Sequence, residues 1–481
     1  MADSTTHPVT VHAPAGTVVG RRTGSVQRFL GIPYAQQPTG VRRFAAPVRR
    51  GRFPEAFDAS RHGPTSQRVP LFATTTIPEP SVPGDDILNL SVVAPAPGTA
   101  TDQAPCPVLV WIHGGAFLAG SPASPWYDGR SFARDGVVCV TVGYRLGVDG
   151  FAPLPDAPAN LGLRDLLLAL DWVRENIGAF GGDPGRVTVA GQSAGGGAVL
   201  ALLSSPVSTG LFQRAVSLSG GFFERDATMA RDFVGRLAER VGVPPTRTGF
   251  GGRSVEHLQT AVLALRDELS TGILPLSPVT GDDILPVPLP EGLARHGLDV
   301  PVLLGATGDE FDCGAAPGNA HPSPYSPAEL AAARAAGTRV TDTLFRAACP
   351  EVAAVRRTAD AGTWLYSFEW PSPALGGAAH CVDLPFFFDL LDAPGCAQAL
   401  GPYPPAELAT AMHADLVGFV HGRQPGWARA TGGPGDPARE YGRPGSPLVA
   451  DTTGVFDPVV RAEPPSARPA SGPGTGTVEA C

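Results

Sequence analysis

No lysine occurs anywhere in the 481 residues; all 36 basic side chains are arginine. With so much Ala, Gly and Pro beside it, this bias points to a GC-rich genome rather than a functional demand. Positive charge is short overall. The formal net charge is −9 and no basic stripe runs through the chain, which argues against a phosphate-tracking surface and against nucleic acid as a partner. Long apolar runs are missing too. Nothing approaches the roughly 18 consecutive apolar residues that span a bilayer, and MADSTTHPVTVHAPAGT at the start has neither the basic nor the apolar region of a secretory leader. A cytoplasmic protein with no membrane partner is expected. Cysteine is sparse: Cys106, Cys139, Cys313, Cys349, Cys381, Cys396 and Cys481 are odd in number and free of C-x-x-C spacing. They read as reduced thiols, with no disulfide framework and no metal site.

What remains is the composition of an ordinary globular chain. Hydrophobic residues make up 43% and charged residues 17%, which is ordinary for a folded protein. The 60 glycines and 52 prolines are spread between apolar runs, as turns are.

From residue 107 short apolar runs alternate with longer periodic ones. PVLVWI (107–112), VVCVTVGY (137–144) and RVTVAG (186–191) are near-continuous in their hydrophobicity, the pattern of strands buried on both faces. Between them Leu163, Leu166, Leu167, Leu170, Val173 and Ile177 recur at spacings of three and four, which predicts a helix opened near Asn160 and closed by Gly178. DVPVLLGA (299–306) and TWLYSFEW (363–370) predict further strands, with helices over 322–348 and 405–422. The order is that of an α/β fold with a central, mostly parallel sheet. One domain is expected over residues 6–460. Periodicity is lost from 426 onward, and residues 461–481 read as a disordered tail. No internal repeat is found.

VTVAGQSAGGG (187–197) carries the chemistry. A strand enters Gly191 and a small-residue helix leaves after Ala194, so G-x-S-x-G here has the context of a nucleophile elbow, with Ser193 exposed on a tight turn. A serine hydroxyl needs a base, and the base needs a carboxylate to fix its tautomer. In the order Ser, acid, His, four histidines qualify: His321, His380, His413 and His421. His413 and His421 lie in a helical pattern. His380 lies in GGAAHCVDLP, a small-residue loop after a strand, where a catalytic loop should emerge. LLGATGDEF places Asp309 and Glu310 at a strand's C-terminal end, and spacing does not choose between them. HGGAF (113–117) follows another strand and offers backbone N–H groups of Gly114, Gly115 and Ala116, beside that of Ala194, to an oxyanion. His113 precedes the serine and is assigned to loop support.

FLGIPYAQQPTGVRRF, GDDILNLSVVAP, VWIHGGAFLAGS, VTVGYRLGVDGF, NLGLRDLLLALDWVRENIGAFGGDPGRVTVAGQSAGG, LFQRAVSLSG, PVTGDDILP, GATGDEF and GAAHCVDLPFFF follow one another in an order that resembles the type B carboxylesterases. These are the cholinesterase-like branch of the α/β hydrolases, and the likeness is to bacterial, para-nitrobenzyl-esterase-like members. The resemblance implies an α/β-hydrolase fold with helices on both sheet faces and helical insertions around a gorge. It implies Ser193 as nucleophile, Glu310 as acid and His380 as base, with Gly115, Ala116 and Ala194 holding the oxyanion, Gly114 shaping the loop, and Ser219 supporting the triad. No cofactor or metal is implied. A small-molecule ester is the expected partner, handled by a monomer or small homo-oligomer.

Several positions depart from the family. Gln192 replaces a glutamate before the nucleophile, removing a negative charge that would attract a cationic alcohol. Ile87 replaces a disulfide cysteine of secreted relatives, and Leu166 replaces a glutamine. The stretch from Glu310 to His380 is short. The expected function is a serine carboxylesterase for small to medium uncharged esters; the Gly-Gly-Ala loop resembles the type that admits bulky alcohols. The alternatives are a lactonase, amidase or acyltransferase with the same triad, and, from another class, a cholinesterase-like binding module. A histidine base of ordinary pKa predicts a rate that falls below about pH 6.5.

Overall fold

A computed structural model describes residues 6–66, 69–71, 75–98, 105–270, 272, 274–311 and 327–460. Its strands are β1 (Thr6–Ala13), β2 (Gly16–Thr23), β3 (Val26–Pro33), β4 (Phe57–Asp58), β5 (Asn89–Pro95), β6 (Cys106–Ile112), β7 (Val138–Val142), β8 (Gly182–Gln192), β9 (Arg214–Leu218), β10 (Val302–Thr307), β11 (Thr363–Phe368), β12 (Pro437–Tyr441) and β13 (Val449–Thr453). All belong to one sheet in the order β1-β2-β3-β5-β7-β6-β8-β9-β10-β11-β12-β13, with β4 on β2. From β7 to β12 every pairing is parallel. The pairings outside that run, from β1 to β7 and between β12 and β13, are antiparallel, apart from the short parallel β4 on β2.

The five strands expected from apolar runs are β6, β7, β8, β10 and β11. Their continuous hydrophobicity is explained by two cores, one on each side of the sheet. On β6, Val108, Val110 and Ile112 enter one core while Leu109 and Trp111 enter the other. The helices Leu161–Asn176 and Ala194–Ser204 cover the first face, and Ala406–Val420 covers the second. Leu163, Leu166, Leu170, Val173 and Ile177 are buried as the spacing requires, and Leu167 stands at the edge of that face.

The boundaries refine these expectations. The helix opens at Asn160 as expected, and the Asn160 carbonyl accepts the Arg164 N–H at 3.0 Å, but the residue sits in the left-handed region (φ 54°) and its side chain makes no capping bond. Its amide instead holds the 279–282 loop, donating to the Val279 carbonyl at 2.7 Å and accepting from the Val279 N–H at 2.9 Å. The helix passes through a 3-10 turn, Ile177–Phe180, and ends at Gly181 rather than Gly178. Beyond 426 the chain is not irregular, because β12 and β13 close the sheet edge. The expected helix over 322–348 is described from Pro327 and continues through a π-helical stretch, Thr341–Arg346, into Ala348–Val355; 322–326 and the expected tail over 461–481 lie outside the described residues. Among the described residues no helix is long and apolar enough to cross a membrane, and no cluster of three or more His, Cys, Asp or Glu could hold a metal. The five described cysteines are buried.

The parallel run positions the site. Its C-terminal strand ends lie side by side, so the loops after β6, β8, β10 and β11 meet at one rim. A buried ion pair braces that rim: Arg145, after β7, donates to both oxygens of Asp165 on the helix Leu161–Asn176, at 2.8 and 2.6 Å.

Candidate active site

Ser193 joins β8 to the helix Ala194–Ser204 with φ 55° and ψ −124°, a conformation that costs a non-glycine residue about 1–3 kcal/mol. Hydrogen bonds hold it there from both sides: its N–H donates to the Leu218 carbonyl at 2.9 Å, and its carbonyl accepts from the Gly197 N–H at 2.8 Å. The flanking glycines are steric necessities. A Cβ on Gly191 would stand 2.5 Å from the Gly195 carbonyl carbon, and one on Gly195 would stand 2.1 Å from the Ile112 carbonyl oxygen.

The loop after β6 turns through three consecutive left-handed residues, Gly115 (φ 114°), Ala116 (φ 54°) and Phe117 (φ 58°). The N–H groups of Leu118 and Ala119 both donate to the Gly115 carbonyl, closing the turn. Among the described residues neither the Gly115 nor the Ala116 N–H has a protein acceptor, and both residues border the cavity that Ser193 borders. Ala194 is the first helical residue, where an amide N–H has no intrahelical carbonyl. Gly114 faces Gln192, and a Cβ there would fall 2.6 Å from Gln192 Oε1. His113 supports the loop as expected. It is buried, its Nδ1 lies 2.8 Å from the Gly114 carbonyl oxygen, and its ring stacks on Tyr144. Burial lowers its pKa to about 4, so it stays neutral.

Of the two carboxylates that spacing leaves open, one meets His380 and the other does not. Asp309 turns away and accepts the Ala378 N–H at 2.8 Å. Glu310 is fully buried, takes the Thr307 N–H on Oε1 at 2.8 Å, and meets His380 Nδ1 with Oε2. The ring of His380 packs against Phe311 and Phe345, each with centroids 5.0 Å away. Burial alone would disfavour the imidazolium, but Cys381 and the Glu310 carboxylate outweigh it and hold the His380 pKa well above 6.5. Burial raises the Cys381 pKa in turn, leaving the thiol neutral, so we assign the upward pull on His380 to Glu310.

Ser193, Glu310 and His380 border a single cavity, about 760 Å³ of empty space including its open mouth. Leu71, Ile77, Ala116, Phe311 and Ala379 make its wall largely apolar. No hydrogen bond joins Ser193 to His380 among the described residues. His380 Nε2 lies instead 3.1 Å from Gln192 Nε2, which is also 2.9 Å from Cys381 Sγ. Ser219 (φ 46°) is fully buried after β9, and its N–H donates to the Gly305 carbonyl. Its hydroxyl has no partner among the described residues, so no hydrogen bond ties it to Glu310 or His380. His413 and His421 lie away from the cavity and contact Asp135, while His321 lies outside the described residues.

Two neighbours of the site escape sequence reasoning. Cys381 adopts φ 74° and lines the cavity. Asp383 is fully buried, accepts from Tyr366 Oη at 3.0 Å, and has its pKa raised to about 7 by burial and by the Glu310 charge. Only their positions one and three residues after His380 could have drawn attention to them.

A family model described as the carboxylesterase family matches residues 7–336. Para-nitrobenzyl esterase of Bacillus subtilis is 34% identical over 423 residues, 80% of this chain and 84% of that protein. A Rhodococcus erythropolis protein described as a probable N-octanoylanthranilate hydrolase is 34% identical over 456 residues, 91% of this chain and 96% of its own length. Among solved structures, a thermophilic para-nitrobenzyl esterase covers 92% of this chain and 97% of its own, at 28% identity and a TM-score of 0.80. A Geobacillus stearothermophilus carboxylesterase covers 94% and 98%, at 31% identity and a TM-score of 0.76.

Proposed function

The chain belongs to the carboxylesterase family and is a serine carboxylic ester hydrolase, and from that premise we propose that it cleaves small to medium uncharged esters through Ser193, His380 and Glu310. The observation that carries this reading is the meeting of three elements in one cavity: a serine on a strained elbow, a histidine tied through Nδ1 to a buried carboxylate, and a left-handed loop with unused N–H groups.

The Glu310 carboxylate accepts from Nδ1 of His380, so the lone pair sits on Nε2. That nitrogen takes the Ser193 proton as Oγ attacks the ester carbonyl. The N–H groups of Gly115, Ala116 and Ala194 receive the oxyanion, and the helix N-terminus behind Ser193 favours the same negative charge. His380 returns the proton to the leaving alcohol, and water then repeats the sequence on the acyl-enzyme. The apolar wall suits an acyl chain. With Gln192 in place of a carboxylate, a cationic alcohol loses one source of charge attraction beside Ser193, which leaves Glu79 as a carboxylate on the cavity wall.

Hydrolysis of p-nitrophenyl acetate, butyrate and octanoate tests the substrate class. Turnover of these, with choline esters cleaved no faster than their uncharged analogues, is expected; a marked preference for the choline esters would overturn it. Product analysis with added hexanol separates water from another acceptor, and hydrolysis without hexyl ester is the expected result. A second reading has one observation behind it, the Rhodococcus relative described as a probable N-octanoylanthranilate hydrolase. Cleavage of an N-octanoyl anilide as fast as p-nitrophenyl octanoate would favour it.

A further inference from the structure

Gln192 is the last residue of β8, fully buried, and lies directly before the elbow serine. Its amide is not a bystander. Nε2 reaches two atoms of the neighbouring loop, Cys381 Sγ at 2.9 Å and His380 Nε2 at 3.1 Å, while Oε1 lies on the Gly114 side, buried and without a hydrogen-bond partner. The other ring nitrogen of His380 is already committed to Glu310. Neutral imidazole with its proton on Nδ1 has one acceptor left, the Nε2 lone pair, and an amide N–H facing it is a donor.

We propose that Gln192 is a positioning residue for the base: in the substrate-free enzyme its amide N–H occupies the Nε2 lone pair of His380, and this contact must break before Ser193 can give up its proton. The inference deepens the esterase reading and rests on His380 as base. Cys381 completes the arrangement. A thiol sulfur accepts weakly, so it steadies the amide with Nε2 toward the ring without competing strongly for it. Gly114 leaves the room the other end needs, since any Cβ there would collide with Oε1.

The consequence is electrostatic. A donor aimed at Nε2 stabilises the neutral ring and opposes its protonation, whereas a carboxylate at the same place would stabilise the imidazolium. The other groups that act on the ring stay constant between such variants. Glu310 and Cys381 face it directly, and Asp383 is coupled to it from the 381–383 turn. Cys349, on the segment 341–355, and Tyr366, on β11, couple to Glu310, and Arg346 acts on Cys349.

The test is the NMR titration of the His380 ring in a Ser193→Ala background, with Gln192, Gln192→Met and Gln192→Glu compared. The midpoint should rise in the Met variant, which keeps the bulk but has no donor, and should rise by about 1 pH unit or more in the Glu variant, where an opposite charge faces the ring. An unchanged or lower midpoint in a Met variant with native circular dichroism and melting would overturn the proposal. Should that variant misfold, Gln192→Asn withdraws the amide by one methylene and must show the same upward shift; no shift there overturns it equally. With Ser193 intact, the acid limb of kcat/KM should follow the same order across the variants. Failure of the wild type to hydrolyse any ester would sink the esterase reading, while the ring titration still reports on the contact independently.

Discussion

Glu310 holds His380 at two levels. Its carboxylate meets Nδ1 of the ring, and its main-chain carbonyl accepts the His380 N–H at 2.9 Å. Side chain and backbone of the loop after β11 are thus fixed by one residue of the loop after β10. Asp309, its neighbour, holds only the chain before His380, through the Ala378 N–H.

This division separates two adjacent carboxylates experimentally. Glu310→Gln keeps the shape but donates where it should accept, and kcat should fall about 10³–10⁴-fold, as when a triad carboxylate is made an amide. Asp309→Asn should leave kcat within about tenfold, since its amide oxygen can still accept the Ala378 N–H and only the charge of that one bond, about 1 kcal/mol at most, is lost. Equal losses of kcat in the two variants would contradict the assignment.

The raised pKa of His380 sets the pH dependence. An imidazolium cannot accept the serine proton, so kcat/KM should climb as pH rises through this pKa, with the acid limb above pH 6.5 rather than at the ordinary imidazole value. Folding stability runs the other way. A raised histidine pKa adds stability that is fully present below the unfolded value of about 6.5 and is lost as pH rises through the folded value. Steady-state rates between pH 5 and 10 decide it; half-maximal kcat/KM below pH 6 would contradict the geometry.

Gly115 carries the oxyanion prediction. A methyl group there would lie 2.2 Å from the Ala119 carbonyl oxygen on a residue at φ 114°, so Gly115→Ala must shift the loop and its N–H groups. Loss of aligned donors should lower kcat about 10²–10³-fold. KM for p-nitrophenyl butyrate should change far less, and kcat within twofold of wild type would contradict the role.

Much of this arrangement is legible in the sequence because it depends on steric limits that sequence displays. Gly191, Gly195 and Gly115 stand where any Cβ collides with backbone, and the buried strands β6 and β8 are continuous in hydrophobicity because cores lie on both sides. Other parts depend on contacts between distant segments. Which of Asp309 and Glu310 reaches His380 follows from the turn after Thr307, invisible to spacing. Asn160 marks the start of its helix, but its side chain serves the 279–282 loop. β12, read as irregular, buries Glu440 against Arg443, so its polar side chains hide a strand paired on both edges. The hold of Gln192 on His380 joins residues 188 positions apart and has no local signature.

Intact-mass labelling with a fluorophosphonate, on the wild type and on Ser193→Ala, tests the central claim most directly. An elbow serine served by His380 should take up a single adduct in the wild type, with none on the variant and ester hydrolysis lost in parallel. A folded wild type that stays unlabelled, or a Ser193→Ala protein that still labels and hydrolyses, would contradict Ser193 as the nucleophile.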